Sequence, residues 1–137
     1  MENVLSVISF LGLGAIVGSF FTALWERNNN IAMQKQEFKE TRYKCIILLM
    51  LGLVDFNKER PKLIANGRNF SSIHELKEEL ITEWNNMMLF ASDEALIALN
   101  SFIRSPNINS YRDCVLTMRK DLYGGKLSKK VIVLNFD

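Results

Sequence analysis

The chain of 137 residues contains few of the side chains from which metal sites and catalytic centres are built. It has one histidine, His74, and two cysteines, Cys45 and Cys114. No C-x-x-C pair or H-E-x-x-H motif is present, so we expect no metal ion and no other cofactor. Each cysteine lies among apolar residues at helical spacing. That setting predicts two small core residues and no disulfide.

Motifs for nucleophilic catalysis or phosphate transfer are also missing. There is no G-x-S-x-G turn and no G-x-x-x-x-G-K-[ST] loop. Gly124 and Gly125 are followed by Lys126, but they come after a predicted helix, whose C-terminal end carries the negative end of the helix dipole. They are typical of a helix C-cap. The sequence therefore predicts a protein that is not an enzyme.

Charge is absent from one long stretch, residues 4–25, which are uncharged and mostly apolar. A helix of this length crosses about 30 Å of hydrocarbon. A buried soluble helix or a cleaved signal peptide are the alternatives, but the start is acidic and the apolar run is long for either. We expect a transmembrane helix over residues 1–27. Lys and Arg follow it and do not precede it, which predicts an outside N-terminus and a cytoplasmic C-terminal domain.

Small and hydroxyl-bearing residues recur along this stretch at spacings of three and four. They form one stripe of Ser9, Gly12, Ala15, Ser19 and Thr22. Gly14 and Gly18 form a G-x-x-x-G pair on an adjoining face, which favours close helix packing. Three interpretations follow: a seam between copies in an oligomer, the lining of a pore formed by several copies, or a lone anchor. The pore requires an oligomer, because one helix per chain cannot enclose water.

The remainder predicts an all-α fold. We expect a juxtamembrane turn at residues 28–30 and a cytoplasmic helical domain over residues 31–137, a bundle of about four helices. The patterns predict helices at residues 31–56, 72–91, 92–104 and 110–123, with a loop at 58–71. Residues 131–136 read VIVLNF and predict a short extended tail.

Basic side chains on the last two predicted helices are the best candidates for binding a ligand. They are Arg104, Arg112, Arg119 and Lys120. Arg112 and Arg119 are seven residues apart and share a helix face, and two guanidinium groups on one face suit phosphate oxygens. The alternative is internal pairing with glutamates, since residues 71–95 are strongly acidic.

Two segments resemble a family of small bacterial proteins with one membrane span and a helical cytoplasmic domain. They read WNNMMLFASDEALIALNSF at residues 84–102 and LTMRKDLYGG at residues 116–125. Some proteins of this shape are similar to the channel subunit of the Hailong anti-phage defence system. The resemblance implies a tetrameric ion channel of the bacterial inner membrane, paired with a nucleotidyltransferase. A short deoxyadenylate oligomer on the cytoplasmic domain would hold the channel shut.

From the residues and the resemblance together, we expect an oligomeric membrane channel or effector of phage defence. Its cytoplasmic domain would bind a nucleotide or short single-stranded DNA and so gate the pore, with the lipid bilayer and further copies of the chain as partners. The alternative is a membrane-anchored interaction or assembly protein with no pore. The number of subunits and the ligand stay open at this point.

Overall fold

The computed structural model describes the backbone of residues 2–125 and the side chains of residues 17–125. The described chain is helical, with α1 at Glu2–Val54, α2 at Phe56–Ala65, α3 at Ile73–Met87, α4 at Asp93–Arg104 and α5 at Ile108–Tyr123. It contains no β-strand within these residues. The all-α prediction is confirmed for the described residues. The predicted extended tail, residues 131–136, lies outside them.

The chain divides into two compact units, Met1–Phe38 and Lys39–Asp137. This boundary falls later than the predicted one, which placed the helical domain from residue 31. Helix α1 also continues through Asn28, Asn29 and Asn30, where the sequence predicted a turn. Asparagine lowers helix stability by less than about 1 kcal/mol per residue, so three of them do not by themselves end a helix.

The predicted N-terminal transmembrane helix is wrong. In the part of the chain that the structure describes, no helix is both long enough and apolar enough to span a bilayer. The same finding overturns the prediction that the chain is a single-pass protein of the bacterial inner membrane.

The second unit is built around one hydrophobic core. The last part of α1 contributes Tyr43, Ile46, Leu49, Met50 and Leu53, all at most 6% exposed. The other helices add fully buried side chains at three- and four-residue spacings. They include Leu63, Leu76, Leu80, Met87, Leu99, Phe102, Cys114 and Met118. The apolar run at residues 45–54, too short for a membrane, is therefore mostly buried against α2–α5.

Packing in this core is close enough to require glycine at one position. A Cβ atom on Gly52 would lie 2.8 Å from Leu63 Cδ1 and 3.0 Å from Leu76 Cδ2. Real Cβ atoms do not approach other atoms this closely, so α1 contacts α2 and α3 at this point through its backbone. Residue 52 is where three helices meet.

Helix α2 occupies most of a segment that the sequence predicted to be a loop. Arg60 and Pro61 were expected to end a helix, but Pro61 lies inside α2. Asp55 caps this helix by accepting a hydrogen bond from Lys58 N at 3.2 Å. Proline costs a helix one hydrogen bond, and burial of Leu63 in the core offsets that loss. Burial of one apolar face of α2 therefore stabilises the helix despite the proline inside it.

The predicted helix starts of α3 and α4 are confirmed. Ser72 Oγ accepts from Glu75 N at 3.2 Å, and Ser92 Oγ accepts from Ala95 N at 3.3 Å. The carboxylate of Glu75 reaches back to Ser71, not to Ser72, and accepts from Ser71 N at 2.7 Å. Helix α5 begins at Ile108, earlier than predicted, after the cap residue Asn107. It ends at Tyr123, before Gly124, whose φ of 70° suits glycine.

Candidate functional site

The four predicted ligand residues separate into one paired and three unpaired side chains. Lys120 Nζ lies 2.6 Å from Glu94 Oε2, so α5 is bridged to the first turn of α4. Arg104, Arg112 and Arg119 make no ion pair or hydrogen bond among residues 17–125. Arg104 lies in the last turn of α4, and the other two lie two turns apart on α5. The internal pairing expected as the alternative thus accounts for Lys120 alone.

Most of the predicted small-residue stripe falls where side chains are not described. Ser9, Gly12, Ala15 and the packing residue Gly14 lie outside residues 17–125. Ser19 and Thr22 are exposed, and Thr22 Oγ1 donates a hydrogen bond to its own helix at Gly18 O, 2.9 Å away. A Cβ atom on Gly18 would meet open space. The pore-lining and packing roles of these residues stay predictions.

A carboxylate in the second unit ties three helices together. Asp121 of α5 lies 2.8 Å from Lys39 Nζ and accepts a hydrogen bond from the Tyr43 hydroxyl, both on α1. It also accepts from Ser92 N at 3.2 Å, where α4 begins. We call Lys39, Tyr43, Ser92 and Asp121 the Asp121 cluster. Only 11% of the Asp121 side chain is exposed, so the cluster fixes the end of α5 and leaves little room for a ligand.

Electrostatics within the Asp121 cluster favour the ionised carboxylate. Burial raises the pKa of Asp121, but the contacts with Lys39, Tyr43 and Ser92 N outweigh burial and hold its pKa below the ordinary value. Burial together with the hydrogen bond to Asp121 raises the pKa of Tyr43 far above its ordinary value. Tyr43 therefore stays protonated and remains a donor at every physiological pH.

Next to this cluster, α1 and α5 share a second polar contact. Tyr123 donates to Glu40 Oε2 at 3.1 Å, and Lys44 Nζ lies 2.7 Å from Glu40 Oε1. Hydrogen bonds from Lys44 and Tyr123 lower the pKa of Glu40. These groups are exposed, so their stabilising effect is small. They extend the attachment of α5 to α1 and form no cavity.

Glu83 is a buried, ion-paired residue that was not predicted from the sequence. Its side chain is only 6% exposed, and its Oε2 lies 2.5 Å from Arg42 Nη2 of α1. A signal was present in the sequence. Glu83 follows Leu80 by three residues and precedes Met87 by four, so it lies on the buried stripe of α3. A charge on such a stripe indicates an internal partner.

The described part of the first unit carries an exposed apolar face. Every residue from 17 to 38 is exposed. The largest apolar side chains are Phe20, Phe21 and Trp25, which are 63%, 66% and 71% exposed. At 100° per residue they fall within one arc of the helix, together with three aliphatic side chains. We call this set the α1 apolar face: Val17, Phe20, Phe21, Leu24, Trp25 and Ile31.

The described residues form no metal site. No group of three or more His, Cys, Asp or Glu side chains among them is placed to hold an ion. Cys45 and Cys114 are both free thiols, and burial raises the pKa of Cys114 to about 12. A thiol with so high a pKa is a poor nucleophile.

No protein-family model, curated protein or solved structure matches the chain. The likeness to the Hailong channel subunit therefore stays a prediction. The fold and the geometry of the described residues define the class as an all-α protein with one packed helical unit and one helical segment whose apolar face is exposed.

Proposed function

We propose that this chain is a self-assembling interaction protein, in which copies associate through the α1 apolar face. The channel hypothesis depended on a membrane span, and we do not carry it forward. The interaction and assembly part of the alternative hypothesis does not depend on that span. The observation that supports it is that every residue from 17 to 38 is exposed, with Phe20, Phe21 and Trp25 each more than 60% exposed.

Exposure on this scale is unfavourable for a lone helix. Isolated helices are marginal in water, and most helix stability in proteins comes from packing an apolar face. Large contiguous apolar patches on protein surfaces are typical of interaction sites. Every side chain at residues 17–38 is exposed. A partner that buries the α1 apolar face would stabilise it.

The spacing of the aliphatic residues favours a second copy as that partner. Val17, Leu24 and Ile31 are seven residues apart. A seven-residue apolar repeat matches another helix with the same repeat, because both helices present side chains at the same interval along a shared seam. A second copy of this chain supplies such a helix.

The available area is sufficient for association. A buried aromatic side chain contributes roughly 200 Å². At the exposures of Phe20, Phe21 and Trp25, these three residues alone offer roughly 400 Å², about half of the ~800 Å² per partner in a standard interface. Val17, Leu24 and Ile31 add to this area, so the α1 apolar face is large enough for a specific interface.

Light scattering coupled to size-exclusion chromatography tests the proposal on the full chain. We expect wild type to elute as an oligomer and Leu24→Asp/Ile31→Asp to elute as a monomer, because two buried carboxylates per copy oppose association. Asn29→Asp, which adds charge away from the seam, is the control and should leave the oligomer intact. A double variant that assembles like wild type would contradict the proposal. So would wild type that binds lipid vesicles and does not self-associate.

A second candidate function is the binding of an anionic oligonucleotide by α4 and α5. It is favoured by the lack of internal partners for Arg104, Arg112 and Arg119 among the described residues. Fluorescence anisotropy with a short labelled deoxyadenylate tests it. Arg112→Glu/Arg119→Glu should weaken binding at least tenfold, while Lys58→Glu/Arg60→Glu on α2, which changes the net charge by the same amount, should weaken it much less. Equal effects of the two variants would mean that only net charge matters.

A further inference from the structure

The second unit carries an apolar surface that the proposed assembly does not use. On α3, Ile81, Trp84 and Met88 follow one another at three- and four-residue spacings. On α4, Leu96 and Ile97 lie beside them, because Trp84 Nε1 donates to Leu96 O at 2.8 Å. We call Ile81, Trp84, Met88, Leu89, Leu96 and Ile97 the α3–α4 surface.

Three of the six side chains on this surface are exposed. Leu89 is 88% exposed, Ile97 66% and Met88 55%, whereas Trp84 and Leu96 are half-buried and contact the core. Leu89 lies in the connection between α3 and α4, where a turn ordinarily carries polar residues. Together with Met88 and Ile97 it offers exposed apolar area of the kind that interaction sites use.

We propose that the C-terminal segment of the same chain, residues 131–136, docks on the α3–α4 surface. These residues lie outside the described part of the chain, and their sequence is VIVLNF. The segment is apolar and rich in β-branched residues. An extended stretch of this kind can bury alternate side chains on the exposed Leu89 and Ile97.

The end of α5 places this segment within reach. Lys120 pairs with Glu94, and Asp121 accepts from Ser92 N, so α5 finishes against the first turn of α4. Ser92 is three residues from Leu89 along the chain. The residues after Gly125 span up to about 40 Å when extended. This is several times the width of one helix, about 10 Å, so the segment is long enough to reach the α3–α4 surface from the end of α5.

Charge supports the same placement. Lys126, Lys129 and Lys130 precede the apolar segment, while Asp93 and Glu78 are exposed on α4 and α3. Asp93 has no hydrogen-bond or ion-pair partner among residues 17–125. Opposite charges next to an apolar contact favour one direction of approach over others. The basic residues would lie over the acidic ones while the apolar residues cover Leu89 and Ile97.

Trp84 reports on this contact directly. The chain has two tryptophans, so Trp25→Phe leaves Trp84 as the sole indole. In that background we expect Ile132→Asp/Val133→Asp to shift Trp84 emission to the red and to increase its quenching by acrylamide. Ser128→Asp/Asn135→Asp adds the same charge without removing an apolar side chain, and it should leave emission close to that of the parent.

Amide hydrogen exchange gives the reciprocal test on otherwise wild-type protein. We expect amides of residues 131–136 to exchange roughly tenfold more slowly than an unstructured peptide, and Leu89→Asp/Ile97→Asp to abolish that protection. Unprotected amides in wild type, or Trp84 emission indifferent to Ile132→Asp/Val133→Asp, would overturn the proposal. Protection lost on dilution, with the tail supplied by a second copy, would overturn docking within one chain.

Discussion

Helix α1 contains two regions whose apolar side chains have opposite environments. From residue 39 to residue 54 its apolar face is buried, with Tyr43, Ile46 and Leu49 at most 1% exposed. From residue 17 to residue 38 every side chain is exposed, including Phe20 and Trp25. The later region finds its partners in α2–α5 of the same chain. The apolar side chains of the earlier region stay exposed, and we propose that a second copy of the chain buries them.

The comparison also shows what an apolar pattern specifies. A helical stripe indicates that a face is to be buried, but it does not say whether lipid, the same chain or another chain buries it. The run at residues 45–54 is buried by the same chain. The side chains at residues 17–25, by contrast, are all exposed.

The largest expected effect separates two phenylalanines in these environments. Phe102 is fully buried and Phe20 is 63% exposed. Phe102→Ala should lower the free energy of unfolding of the second unit by about 3–5 kcal/mol, through lost burial and a residual cavity. Phe20→Ala should change it by less than about 0.5 kcal/mol and should instead weaken association. Denaturant titration measures both, and equal losses would erase the distinction between the two regions.

A smaller effect compares two ion pairs on the later part of α1. Arg42→Met leaves Glu83 charged and only 6% exposed, so we expect a loss of about 2–3 kcal/mol. Lys44→Met removes a partner of Glu40 at the surface, where the side chain of Lys44 is 72% exposed. This change should cost less than about 0.5 kcal/mol. Thermal unfolding distinguishes them, and an Arg42→Met variant as stable as Lys44→Met would refute an internal role for Glu83.

The Asp121 cluster makes part of the stability of the second unit depend on acid. The pKa of Asp121 is held below its ordinary value of about 4, so its ionised form stabilises the fold above that pH. The stability is lost as pH falls from about 4 through the lowered pKa. Asp121→Asn should cost about 1–2 kcal/mol at pH 7.

Denaturant titration between pH 2 and pH 7 provides the measurement. Asp121→Asn should lose less stability than wild type between these limits, with a residual slope from Glu40 and Glu75, whose pKa values are also lowered. Parallel pH profiles for the two proteins would show that Asp121 is not ion-paired in solution.

The two cysteines differ in exposure, so comparing their reactivity toward a thiol reagent tests the packing around each without any substitution. Cys114 is fully buried and its pKa is raised to about 12, whereas Cys45 is half-buried. A thiol reagent at pH 8 should modify Cys45 at least tenfold faster than Cys114. Mass spectrometry of peptides from the native protein measures both rates. Equal rates would mean that the helices around Cys114 open readily.

Local signals in the sequence predicted the helices but not their partners. Ser72 and Ser92 cap the helices they were expected to cap, because a hydroxyl before an apolar stripe satisfies free backbone amides wherever the helix later packs. Pro61 does not end α2, because its local cost of about 3 kcal/mol is offset by the packing of that helix. The three asparagines at 28–30 do not end α1, because each costs less than about 1 kcal/mol. The burial of Glu83 could be predicted from its position on the apolar stripe of α3. Its partner Arg42 could not, because the two residues are far apart in the sequence.

The candidate surfaces were less predictable than the helices. The α1 apolar face was visible as an apolar run, but its environment depends on tertiary contacts that no spacing encodes. The basic residues of α4 and α5 looked alike in sequence. Only the packing of α5 against the start of α4 separates Lys120, which is paired with Glu94, from Arg112 and Arg119. Pairing of that kind depends on a specific three-dimensional approach.

The molar mass of the full-length chain in solution tests the central claim most directly. Sedimentation equilibrium of wild type at micromolar concentrations should give a multiple of 15.8 kDa, and Leu24→Asp/Ile31→Asp should give 15.8 kDa under the same conditions. A wild-type mass of 15.8 kDa at every concentration, with the second unit folded, would contradict the assignment of the α1 apolar face to a second copy.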